Sequence, residues 1–134
     1  MAFIFFRQAF LDKKNSEVIE KHLHSDETVE YAFYAQKDAN SLNIFDTVVI
    51  ALTNKRILIG RKRLIYGYSF NSITPDLFND LKVSGGLLWG KVYIDTVKEY
   101  VVLSNIDKNA LAEIENNITT FMMEEKKKYP KNDN

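Results

Sequence analysis

The chain has 134 residues, 46% hydrophobic and 27% charged, with 18 bases balancing 18 acids and no cysteine. That length suits one domain able to bury a core without a metal or disulfide staple. The missing cysteine excludes disulfides, thiolate metal sites and cysteine nucleophiles, and the charge balance leaves no global field to steer the protein to nucleic acid or lipid.

At the start, Phe3, Phe6, Phe10 and Leu11 fall at helical spacing. The apolar run Met1–Phe6 has no basic stretch ahead of it and no small-residue cleavage site behind Arg7 and Gln8, so it is not read as a signal peptide. No run approaches the roughly 20 apolar residues of a membrane span, and a soluble, cytoplasmic protein is expected. A second helical piece runs from Asn15 or Ser16, either of which is a candidate cap, through Val18, Ile19 and Leu23. Residues 1–25 are thus expected to form a helical N-terminal extension, with its Phe-rich part packed on the domain or self-associating, the alternative being an exposed handle for a partner or a membrane interface.

From Thr28 the period changes to two, and Val29, Tyr31, Phe33 and Ala35 share one face. Lys37 to Asn43 is turn-forming, and Ile44 to Leu52 reads as a central strand buried on both faces. Thr53-Asn54-Lys55 turns the chain into a strand from Arg56 to Gly60. Arg61-Lys62-Arg63 makes a charged tip, and Leu64 to Phe70 returns. Pro75 followed by Asp76 to Asn79 suggests a short helical turn. Strands are expected at Leu81–Val83, Leu88–Asp95 and Lys98–Leu103, the first two joined by Ser84-Gly85-Gly86, where glycine would supply positive φ. The last element is a helix with Leu111, Ile114, Ile118 and Phe121 in one stripe, capped by Asn105 or Asp107. Pro130 stops it, and residues 130–134 should be a frayed tail.

Seven short strands followed by one amphipathic helix predict an α+β, mainly β domain over residues 26–129. The strands would form a seven-stranded antiparallel barrel or orthogonal sandwich, with the helix in its open mouth.

No constellation for chemistry stands out. His22 and His24 are two apart and do not share a helix face, Asp76 and Asp80 lack a marked partner, and no serine sits in a Gly-x-Ser-x-Gly elbow. Ser84-Gly85-Gly86 lacks the Gly-Lys-Ser/Thr ending of a phosphate loop. No catalytic residue, cofactor or metal is expected. The five bases Lys55, Arg56, Arg61, Lys62 and Arg63 lie without an intervening acid. The tip could bind phosphate, an acidic protein or anionic lipid; the structural explanation is a solvated hairpin end whose charge deters edge pairing. Arg56 is read apart from the tip, pairing with an acid or capping carbonyls. Trp89 is read as packing under the final helix, with an exposed partner anchor as the alternative.

The run Leu52-Thr53-Asn54-Lys55-Arg56-Ile57-Leu58-Ile59, with its Thr-x-x-Arg turn, resembles the small bacterial pleckstrin-homology-like domains, in particular the YokE-like group. So do Tyr68-Ser69-Phe70-Asn71-Ser72-Ile73 and the Gly-rich hairpin Ser84 to Gly90, and the likeness covers roughly Asp26 to Phe121. The resemblance implies a seven-stranded barrel with a C-terminal helix and no activity. Phosphoinositide-holding relatives place several bases around the first hairpin, where this chain offers only Lys37 beside Asp38. The function expected is a non-enzymatic binding or scaffolding module engaging a protein partner, with contacts at Lys55, Arg61, Lys62, Arg63 and Trp89. The alternative is an anion-binding module for lipid headgroups or nucleic acid, using the basic tip, Lys55 and Arg61 to Arg63, together with Lys126 to Lys128.

Overall fold

The computed structural model describes residues 13–37, 47–62 and 67–129. They form α1 (Lys13–His22), β1 (Val29–Lys37), β2 (Thr47–Thr53), β3 (Ile57–Lys62), β4 (Tyr68–Ile73) and β5 (Phe78–Gly85). Then come β6 (Trp89–Thr96), β7 (Tyr100–Asp107), a 3-10 turn (Lys108–Ala110) and α2 (Leu111–Lys126). The Phe-rich start, the loop after Lys37, Arg63 and the tail from Pro130 lie outside the described residues.

The seven strands make one antiparallel sheet in the order β4-β3-β2-β1-β7-β6-β5. Only the last two residues of β1, Gln36 and Lys37, pair with β7, opposite Ser104 and Leu103. The sheet therefore bends sharply at this seam, and its two ends face each other across a shared core. Ile57 and Ile59 from β3, Leu81 from β5 and Ile94 from β6 all belong to that core. Leu111, Ile114, Ile118 and Met122 of α2 join the same cluster, so the helix fills the mouth of the curl as its apolar stripe predicts. The stripe follows Met122 rather than Phe121, which is half-buried, because 114, 118 and 122 repeat at four residues.

β1 to β4 carry a second core on their outer face. Ala32, Tyr34, Val49, Ala51 and Leu58 point away from α2 and pack with Ile19 of α1. All seven residues of β2 are buried, as its run of apolar and β-branched residues with no charge implies. Gly60 permits the close approach of α1, since a Cβ there would lie 2.9 Å from Ile19 Cδ1. Ser16 lies inside α1 rather than capping it, and its hydroxyl bonds the Tyr34 hydroxyl at 2.8 Å. His22 stacks on Phe70 with ring centroids 3.9 Å apart.

Two other local expectations change. Asp76 to Asn79 is not helical: a turn ends at Leu77 and β5 begins at Phe78. Gly85 and Gly86 do not use positive φ. Asn105 does (φ 57°), next to the register shift where β7 bulges against β6, a conformation asparagine tolerates. Of the two expected caps it is Asp107 that acts, on the 3-10 turn, where its carboxylate accepts from the Asn109 N–H at 3.0 Å; α2 itself starts after Ala110 with no side-chain cap.

Candidate functional site

Two polar-apolar inversions mark opposite kinds of site. The first is a buried ion pair. The Thr53-to-Arg56 turn aims Arg56 back under α1, and Arg56 Nε and Nη2 each donate to Glu27 at 2.9 Å. The Glu27 side chain is fully buried. Arg56 also donates through Nη1 to Ser72 Oγ and through Nη2 to the His22 carbonyl, each at 3.1 Å. Glu27 accepts further bonds from Thr53 Oγ1 at 2.6 Å and the His24 N–H at 3.1 Å. Burial pushes the Glu27 carboxyl up, but the bonds from Arg56, Thr53 and His24 outweigh it and bring its pKa from 4.5 down to about 2. Every arm of this cluster ends on the protein itself. It ties α1, the start of β1 and strands β3 and β4 together, and Arg56 does the pairing and carbonyl capping expected of it.

The second inversion is the β5–β6 hairpin. Gly85 pairs with Gly90, and the Gly86 N–H donates to the Trp89 carbonyl at 2.9 Å, leaving Leu87 and Leu88 at the apex. Leu87 is 87% exposed, Leu88 71% and Trp89 42%. Trp89 thus does not pack under α2. The reason is Gly90, against which Leu111 of α2 is seated: a Cβ there would meet Leu111 Cδ1 at 2.5 Å. The helix contacts the hairpin backbone at that point, and Trp89, on the opposite side of the strand, is turned outward. Lys108 Nζ donates to the Leu87 carbonyl at 2.9 Å and fixes the loop to the turn before α2.

Of the remaining expected contact residues, Lys55 and Arg61 do not share a patch. Lys55 pairs with exposed Asp26 at 2.7 Å, and this bond holds the Asp26 carboxyl below its ordinary value. Arg61 lies at the other end of β3, about 20 Å from Lys55 along the strand, and is half-buried. The side chain of Lys62 and all of Arg63 lie outside the described residues. Trp89 is joined instead by Leu87 and Leu88, which the sequence reading passed over. Their signal was available: two leucines directly after Gly-Gly occupy hairpin positions where turns carry polar residues.

Among the described residues no helix is long and apolar enough to cross a membrane, and no group of three or more His, Asp or Glu is placed to hold a metal. A shallow groove of about 120 Å³ lies between β4 and the β6–β7 turn, lined by Asn71, Ile73, Leu77, Thr96 and Glu99.

No curated relative matches the chain. Among solved structures, the hSac2 domain from human phosphoinositide phosphatase Sac2 superposes with a TM-score of 0.55 at 10% identity, covering 84% of this chain and 82% of that one. At that identity the likeness shows the fold alone. The family pattern described as Bacterial PH domain matches residues 23–120, from the end of α1 to the middle of α2. The chain belongs to the bacterial PH domain family.

Proposed function

We propose that this chain is a non-enzymatic docking module whose contact element is the β5–β6 hairpin tip. One observation carries the reading: Leu87, Leu88 and Trp89 are consecutive, large, apolar and exposed, on a loop held in place by Lys108. Fully burying one such side chain is worth about 1.5–3 kcal/mol, so three together form an anchor of the kind that dominates binding interfaces. The PH-like fold supports a binding or scaffolding role in general.

The basic-tip alternative has less support. Lys55 is engaged by Asp26 and stands a strand length from Arg61, so the five bases do not act as one phosphate grip.

The test is crosslinking in the native host. A photo-reactive residue at position 88 should give an adduct, resolved by mass spectrometry, that the same residue at exposed position 124 does not. Equal adduct yield at the two positions would remove the tip as the contact element.

A further inference from the structure

We propose that the β5–β6 tip inserts into an anionic lipid bilayer, with Leu87 and Leu88 entering first, Trp89 at the interface and Lys91 and Lys108 on the lipid phosphates. The inference rests on the docking reading above and names the surface that is docked.

The order of side chains along the hairpin matches the depth profile of a lipid interface. The apex is leucine, then tryptophan, then half-buried Lys91 two residues on, about 7 Å further along β6. Alternation puts Lys91 and Tyr93 on the outer face of the sheet, between buried Gly90, Val92 and Ile94. Tyr93 stacks against Tyr100 of β7 with centroids 6.0 Å apart. Along β6 itself the first acid comes only beyond this aromatic pair, at Asp95, about 20 Å from Trp89. Apolar apex, interfacial aromatics and lysines at phosphate depth are the pattern of a segment that lies in a bilayer surface.

Charge along the hairpin is segregated in the sense an anionic surface requires. From Lys82 to Ile94 there are two lysines and no acid, and Lys108 adds a third base beside Leu87. Asp107, opposite Trp89 across the β6–β7 ladder, is the opposing charge, and its carboxylate is turned to the Asn109 N–H. Asp80 and Asp95 stand at the far end of the hairpin, separated from the tip by about two Debye lengths at physiological salt. The chain's zero net charge hides this local gradient. A protruding apex also suits a deformable bilayer, which receives it without a preformed pocket. It reads charge and apolar depth rather than the stereochemistry of one headgroup.

Trp89 is the single tryptophan of the chain, so its emission reports on the tip alone. The experiment titrates the intact protein with vesicles of phosphatidylcholine alone or mixed with phosphatidylglycerol, with and without bromine-labelled acyl chains. The expected result is a blue shift and bromine quenching on the phosphatidylglycerol vesicles that fade as salt rises. L87D/L88D should lower partitioning by about tenfold or more, and K91E, which leaves the Lys108 bond to the loop intact, by about tenfold. Unchanged emission on phosphatidylglycerol vesicles at low salt would overturn the proposal, and so would full partitioning of L87D/L88D. Quenching is read on the unaltered chain, so it decides the matter even if a variant misfolds. A protein adduct at position 88 without vesicle binding would sink the lipid assignment and leave the docking module standing.

Discussion

The two ends of the molecule break opposite rules. At the Thr53–Arg56 turn a carboxylate and a guanidinium are buried; at the β5–β6 tip two leucines and a tryptophan are exposed. The difference lies in where their partners are. Each polar group of the Arg56–Glu27 cluster is met by another part of the same chain, from His22 to Ser72. The cluster is consequently a structural node, and charge at a conspicuous motif is here no sign of a binding site. Among the described residues the tip leucines stay largely exposed and Trp89 is about half covered, and the docking proposed above would give them a partner. The pair teaches that an inversion is functional when it is unsatisfied, not when it is unusual.

The sharpest way to break this comparison is to remove Glu27. Glu27→Ala leaves the Arg56 guanidinium, whose side chain is only 12% exposed, without its counter-charge. Loss of one partner of a buried pair costs about 3–5 kcal/mol, to be read as a fall in the denaturant midpoint. Arg56→Lys should cost less than this, since it keeps the charge but loses the two-pronged contact. A loss below about 1 kcal/mol for Glu27→Ala would show that the pair does not hold the fold.

Acid should produce the next largest effect. The Glu27 pKa is lower in the folded protein, about 2 against 4.5, so the folded state binds this proton less readily than the unfolded chain does. The resulting stabilisation, about 3 kcal/mol, is fully present above pH 4.5 and is lost as pH falls from 4.5 through about 2. Stability measured across that window should decline in the native chain. In Glu27→Gln it should be flatter by this amount.

The curl, the plug helix and the seven strands were legible in the sequence because each rests on a repeat: period two from Thr28, and a three-four spacing from Leu111. Arg56 was legible as a structural residue because the Thr-x-x-Arg turn pattern is local. The outer-face role of α1 was not, since Val18 and Ile19 show only that the helix has an apolar side, not that Gly60 leaves room for it. Trp89 was misread for the same reason. Its neighbours in sequence are apolar, which suggests a core, but Leu111 occupies the space over Gly90, and that contact spans residues far apart in the chain. The start of β5 was hidden by Pro75, whose turn runs to Leu77 and gives way to the strand at the very next residue, Phe78.

Gly90 offers a way to sharpen the contrast between core and tip. Gly90→Val would drive a side chain into Leu111, whose Cδ1 lies 2.5 Å from the added Cβ, and should destabilise by about 1–3 kcal/mol. Pairing it with Leu111→Ala should recover part of that loss, because the clash is with that residue. A double variant no more stable than Gly90→Val alone would show that Leu111 is not what excludes a side chain there.

The smallest expected effect is the one most specific to the tip. Leu87 and Leu88 are largely in solvent, and the hairpin is fastened through backbone groups: Gly86 to Trp89, and the Leu87 carbonyl to Lys108. Replacing both leucines with aspartate removes no buried contact and leaves those bonds in place. The thermal midpoint should correspond to a change within about 0.5 kcal/mol, the range of ordinary surface substitutions. A stability loss of several kcal/mol would mean that the leucines pack on something in the free protein, and the tip would then belong to the fold, as the Arg56 cluster does.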